Sequence, residues 1–162
     1  MNDKGITVGI ADMRASNDPA ATLVTYSLGS CLGIVIYDPL VRVGGMLHAM
    51  LPEAKDEKTK LHFNPYKYID TGVPLLFKET YKLGAQKNRL KVYVLGGSQI
   101  LDESGYFNIG KRNLAIMRKL FWKNGIMIGK EHVEGSVSRT VRLNIQIGEV
   151  KVKLGWGEEF IL

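Results

Sequence analysis

The only cysteine of the chain, Cys31, closes the stretch TYSLGSC, and His48 follows it seventeen positions later in GGMLHAML. A thiol with an imidazole beside it can act as a nucleophile with its base. Left alone, a thiol of pKa about 8.5 is mostly protonated at neutral pH, whereas a neighbouring ring can take its proton or, as imidazolium, stabilise the thiolate. A cysteine in a run as apolar as CLGIVIY also suits a second role, that of a small buried hydrophobe. Spacing alone leaves both roles open.

A hairpin would bring the pair together. Asp38, Pro39, Leu40 and Val41 make a plausible four-residue turn, because proline presets φ at its second position and aspartate at the first accepts backbone N–H groups. With Tyr37 then facing Arg42, simple antiparallel register sets Cys31 opposite His48, with Cβ atoms about 4.5 to 5.5 Å apart. A bulge at Gly44 and Gly45 would slip that register by one and part the two side chains. If Gly29 and Ser30 turn the chain, the Thr25 hydroxyl can accept from the other ring nitrogen of His48 and orient it. The N–H groups of Gly29, Ser30 and Cys31 are the natural donors for an oxyanion. His62, in a charged stretch, and His132, between Glu131 and Glu134, read as surface residues. Three scattered histidines do not supply a convergent metal ligand set, and no metal or organic cofactor is expected.

The elements that must carry these residues follow from periodicity. ITVGIA, ATLVTYS, CLGIVIY and VGGMLHAML read as strands separated by turn residues, and PEAKDEKTKLHFNP reads as a charged surface loop bordering a cleft. A helix is expected from about Tyr66 to Leu83, ending at Gly84, with Pro74 kinking it or marking its true start. LKVYVLGG is a buried strand. Asn108 is the expected N-cap of a second helix ending at Asn124 and Gly125. In that helix Leu114, Ile116, Met117, Leu120 and Phe121 share one side. Lys111, Arg112, Arg118, Lys119 and Lys123 share the other, as a solvated face or as a docking surface for an acidic partner. In RTVRLNIQIGEVKVKL, Val141, Leu143, Ile145 and Ile147 alternate with Arg142, Asn144 and Gln146, and Gly148 with Glu149 fits a two-residue hairpin turn. The order of strands, helix, strand, helix and strands indicates an α+β fold with mixed β-sheets.

With 162 residues, the chain is expected to form one domain spanning 1–162. Hydrophobic residues at 45% and charged residues at 23% are ordinary for a globular protein. The start lacks a signal-peptide pattern and no apolar run approaches the ~20 residues of a membrane span, so a cytoplasmic protein without membrane insertion is expected. A single cysteine excludes an intrachain disulfide. The net charge of +6 points to acidic partners. Nucleic acid is not favoured among them, because the basic residues are spread along the chain without a recognised binding motif.

The residues TYSLGSC (Thr25 to Cys31), DP (Asp38 and Pro39), GGMLHAMLP (Gly44 to Pro52), KYIDTG (Lys67 to Gly72), GGSQIL (Gly96 to Leu101) and NIGKRN (Asn108 to Asn113) resemble the chemoreceptor glutamine deamidase family CheD. The resemblance covers most of the chain, from about Ile6 to Leu154. It implies an α/β/β/α arrangement, mixed sheets packed as a sandwich flanked by helices. It also implies a cysteine hydrolase, a protein-glutamine glutaminase that converts selected glutamines on the cytoplasmic helices of methyl-accepting chemotaxis receptors to glutamate through a thioester, releasing ammonia. Cys31 matches the family nucleophile, His48 the base and Thr25 the orienting third member. A CheC-type phosphatase is an implied partner, and a non-catalytic or dual-role adaptor that regulates such a phosphatase is the alternative. The chain departs from the family in HVEGSVSRTV, where Glu134 and Ser138 stand at positions that favour glycine, and in Pro74, where the helix is usually continuous.

Overall fold

The computed structural model describes residues 3–100 and 107–162; Leu101, the last residue of GGSQIL, lies outside them. In chain order the strands are β1 (Lys4–Thr7), β2 (Asp12–Ser16), β3 (Ala21–Leu28), β4 (Leu32–Asp38), β5 (Val43–Ala49), β6 (Lys91–Gly96), β7 (Lys130–Val133), β8 (Arg139–Asn144), β9 (Val150–Leu154) and β10 (Glu159–Ile161). Helix α1 (Ile69–Lys82) falls between β5 and β6, and α2 (Ile109–Lys123) between β6 and β7. The strands form two five-stranded sheets, one ordered β1-β3-β8-β9-β10 and the other β2-β5-β4-β6-β7. Each contains one parallel pair, β1 with β3 and β6 with β7, among antiparallel ones.

Alternation builds the layers. Side chains two residues apart share a sheet face, so Leu23, Val141, Leu143 and Val152 of the first sheet meet Val35, Met46 and Leu95 of the second in one buried core. The intervening residues Ile34, Ile36, Leu47 and Val94 point the other way, onto Val73, Leu76 and Phe77 of α1 and Leu114, Met117 and Phe121 of α2. Strands β4 and β5 are therefore buried on both faces, which explains their near-continuous apolar sequence. The mixed-sheet α+β sandwich is as the sequence implies, but both described helices cover the second sheet, so none of the described residues forms a helical layer on the first. Among the described residues no helix is long and apolar enough to cross a membrane.

Gly44 and Gly45 hold this stack close. A Cβ on Gly44 would lie 2.7 Å from Leu143 Cδ2, and one on Gly45 2.8 Å from Leu76 Cδ1, so the first sheet and α1 press on β5 from opposite sides. No bulge occurs there, and β4 pairs with β5 without interruption from Leu32↔Ala49 to Asp38↔Val43.

The hairpin turn differs from the one expected. Tyr37 faces Gly44 rather than Arg42, because four residues, Pro39 to Arg42, lie between the strands and Arg42 takes a positive φ of 53°. Asp38 fixes this loop and its neighbour: it accepts from Leu40 N at 3.0 Å and Gln86 N at 2.9 Å, and pairs with Arg89 at 2.8 Å.

Other boundaries shift for local reasons. Helix α1 starts at Ile69 and carries Pro74 within it, so Pro74 does not mark its start; a short 3₁₀ turn at Pro65–Lys67 takes up the preceding residues. Asn108 does precede α2, but in the left-handed region and without its side chain capping the helix. The β8 to β9 connection is longer than two residues. Leu143 pairs with Val150, and the Asn144 side chain accepts from Gln146 N and Ile147 N, which turns Ile147 outward to 65% exposure.

Burial pushes the Asp38 carboxyl up, but the Arg89 guanidinium and the two backbone N–H bonds outweigh it and hold it below the usual carboxylate range. Its stabilisation is therefore present above the unfolded pKa of about 4 and is lost as pH falls. Asp38→Ala is expected to cost about 3 kcal/mol in urea unfolding at pH 7, and the deficit is expected to shrink as the comparison moves to acid.

Candidate active site

Strand β3 is regular up to Thr25, which pairs with Val141, and then bulges so that Leu28 pairs with Arg139. Ser27 adopts a positive φ of 53° within the bulge. The extra residue lets both Thr25 and Leu28 face inward, although alternation alone would send one of them out. His48 lies on the inner face of β5, in step with Met46, and is 1% exposed. Thr25 Oγ1 and His48 Nδ1 meet across the sandwich at 2.7 Å. The same hydroxyl donates to Val8 O at 2.8 Å, so it must accept from the ring. That assigns the proton to Nδ1 and leaves a lone pair on Nε2, which is buried without a hydrogen-bond partner.

Cys31 lies in the loop just before β4. Gly33, not Cys31, is the direct cross-strand partner of His48, so the expected register is wrong by two residues. The cause is the longer turn at Pro39 to Arg42. An even shift preserves the face, and Cys31 still packs half-buried against the inter-sheet core on the His48 side. It is a diagonal neighbour, within reach of a long side chain. Thiol and ring are not hydrogen-bonded to each other, since Nε2 has no partner.

The carbonyls of the Cys31 loop are all tied down. Ser98 N donates to Gly29 O at 3.0 Å, Gly97 N to Cys31 O at 2.9 Å, and Asn113 Nδ2 to Ser30 O at 3.1 Å. Gly96 permits this approach, since a Cβ there would lie 2.2 Å from Cys31 O. With the carbonyls engaged, the N–H groups of Gly29 and Ser30 have no partner among the described residues, and that of Cys31 lies against its own sulfur. A cavity of about 720 Å³ opens on Ser27, Gly29, Ser30 and Lys111.

Both reactive groups are neutral at pH 7. Burial pushes the Cys31 thiol up, only partly offset by its own N–H, and burial pulls His48 down to about 4. A preformed thiolate and imidazolium pair is therefore not the resting state.

The remaining candidates scatter. Lys111, Arg112, Arg118, Lys119 and Lys123 are exposed on α2, but Arg118 is already paired with Glu131 by two contacts of 3.2 Å. His62 is exposed as expected. His132 is not a free surface residue: it is half-buried, stacks on Phe160 at 5.0 Å, and accepts from Arg139 Nε at 2.7 Å. Arg139, 2% exposed, also bonds Ser98 Oγ at 2.6 Å and Glu134 O at 2.9 Å, bracing the segment behind the Cys31 loop. Glu134 there has a φ of 66°, the conformation that favours glycine, and Ser138 Oγ would meet a Cβ on Gly155 at 2.8 Å. Asn113, Ser98 and Arg139 carry the site's framework without having been singled out as individual residues. Asn113 did leave a signal, a polar residue one step before Leu114 on the apolar side of α2.

A family model described as CheD chemotactic sensory transduction matches residues 50–154. A protein of Syntrophus aciditrophicus named probable chemoreceptor glutamine deamidase CheD 1 is 48% identical over 152 residues, covering 94% of this chain and 95% of the relative. The chain belongs to the CheD family. Further CheD relatives, each named probable chemoreceptor glutamine deamidase CheD, are 45% identical in Solibacter usitatus and 41% in Pyrococcus horikoshii. They cover 90% and 93% of this chain and 86% and 92% of their own lengths. Among solved structures, Bacillus licheniformis hypothetical protein YfiH aligns with a TM-score of 0.44 at 12% identity, over 83% of this CheD chain and 60% of its own.

Because His48 is held neutral, its folded pKa of about 4 lies below the unfolded value of about 6.5. The unfolded chain binds the extra proton between those values, so stability is full above about 6.5 and falls toward 4. A loss on the order of 3 kcal/mol is expected from this group alone, measured as the difference between wild type and His48→Gln in urea unfolding across that range.

Proposed function

We propose that this CheD protein deamidates glutamine side chains of methyl-accepting chemotaxis receptors, with Cys31 as nucleophile, His48 as base and Thr25 as the residue that orients the ring. One observation carries the reading. The 2.7 Å bond that Nδ1–H donates to Thr25 Oγ1 leaves a lone pair on Nε2 without partner on the face that Cys31 shares.

Nε2 takes the thiol proton as Sγ attacks the carboxamide carbon. The oxygen acquires the negative charge and is met by the N–H groups of Gly29 and Ser30. Collapse breaks the C–N bond, and the imidazolium returns its proton to the departing ammonia, leaving a thioester. Water then attacks, losing a proton to neutral His48, and the product is glutamate with the thiol restored. Rotation of the Cys31 side chain toward the ring belongs to the substrate-bound state, since such bonds are often loose in a free enzyme. A ring held near 4 and a thiol pushed up by burial make this transfer uphill in the free protein, so it goes in concert with attack on the bound carboxamide. The reaction needs no cofactor. It belongs in the cytoplasm, where the receptor helices lie, and the exposed Lys111, Arg112, Lys119 and Lys123 offer an acidic receptor surface a complementary face.

The protonated thiol, unbonded to the ring, favours a second reading: an adaptor that binds a CheC-type phosphatase without chemistry. The two part on one substitution. Incubation with receptor cytoplasmic fragments is expected to raise their intact mass by about one dalton per modified glutamine, and Cys31→Ala to lower that rate at least about 1,000-fold. Wild type that leaves the mass unchanged, while Cys31→Ala still binds the phosphatase, would leave the adaptor alone standing.

A further inference from the structure

The β4–β5 pair opens at the very end that carries the chemistry. Its last rung is Leu32↔Ala49. Beyond it, Met50 N and Leu51 N both donate to Lys67 O, at 2.8 and 3.0 Å, drawing one strand toward the segment before α1. On the other side Gly97 N takes Cys31 O and draws that strand toward the end of β6. The gap between them is filled by one side chain from α2.

Asn113 is fully buried on the packed side of the helix, beside Leu114 and Met117. Its Nδ2 donates to Ser30 O at 3.1 Å and to Met50 O at 3.0 Å. A carboxamide has two such donors, and both are used. Neither carbonyl has another partner among the described residues. Ser30 immediately precedes the thiol, and Met50 follows His48 by two. The Oδ1 of Asn113 is buried without a partner, so an apolar residue here would avoid a desolvation cost; what the amide supplies instead is the two-point clamp.

We propose that Asn113 is a positioning residue, whose carboxamide bridges the Ser30 and Met50 carbonyls across the open end of β4 and β5 and so sets the separation of the Cys31 thiol from the His48 ring. The proposal rests on the deamidase reading for its consequence, and on the single cysteine for an independent readout. Without the bridge, the loop and the strand end are free to part, and the ring is no longer kept where it can take the thiol proton during attack.

The test measures alkylation of Cys31 by iodoacetamide as a function of pH, by intact mass, in wild type, His48→Ala, Asn113→Ala, Asn113→Ser and the His48→Ala/Asn113→Ala double variant. Thermal unfolding establishes that each is folded. Asn113→Ala is expected to shift the alkylation profile to that of His48→Ala, with no further change in the double variant. On receptor fragments, kcat is expected to fall at least tenfold with KM within twofold. Asn113→Ser keeps one donor and is expected to fall between, and it decides the matter if Asn113→Ala does not fold. A folded Asn113 variant whose alkylation profile and kcat stay within twofold of wild type overturns the proposal. Loss of the fold in both variants overturns it too, since Asn113 would then only hold the core. If wild type releases no ammonia, the deamidase reading fails, and the alkylation profiles still decide the role of Asn113.

Discussion

The hydrogen bond that the His48 ring donates to the Thr25 hydroxyl ties the two sheets together beside the Cys31 loop. It is made between residues of different sheets, and both are buried. Such a bond depends on the inter-sheet distance, which depends on the packing of Leu23, Val35, Met46 and Leu143 behind it. It depends also on the bulge after Thr25, which keeps that hydroxyl aimed inward while letting Leu28 seal the core beside it. The tautomer of one imidazole is thus a property of the whole sandwich. Were the hydroxyl not committed to Val8 O, it could donate to the ring instead, and the lone pair would sit on the wrong nitrogen.

Burial gives the site its chemical temperament. Removing water from the ring and the thiol disfavours their charged forms, so neither ionises on its own. The carbonyls of Gly29, Ser30 and Cys31 are all tethered, which leaves the N–H groups of Gly29 and Ser30 without a partner among the described residues. A resting site with no charge is protected from stray electrophiles, because a protonated thiol is a poor nucleophile.

Much of this was legible from residue types, and the failures have physical causes. Long, strongly patterned elements announced themselves, as in β3, β4, β5 and α2, where an apolar run or helical spacing continues for several residues. Strand β2 did not, because DMRAS is short and polar and buries only Met13 as it pairs along β5. Ile147 was misplaced because the Asn144 side chain bends the backbone before alternation can reach it. The pairing of Cys31 with His48 was wrong in register yet right in face, since a turn longer by two residues moves rungs without exchanging sides. Asn113, Ser98 and Arg139 escaped because their role lies in which backbone atoms they reach, and no spacing rule encodes that.

Strand β4 occupies the middle of the second sheet, with β5 on one side, β6 on the other, the first sheet above and the helices below. Segments enclosed in this way open last in a folded protein, and the thiol sits one residue before such a segment. With its three carbonyls tethered, the Cys31 loop leaves side-chain rotation as the adjustment open to it. On the deamidase reading proposed above, a glutamine that is to react must therefore be brought to the loop by its own chain. Selectivity among otherwise similar glutamines would then come from how readily each local stretch of helix yields.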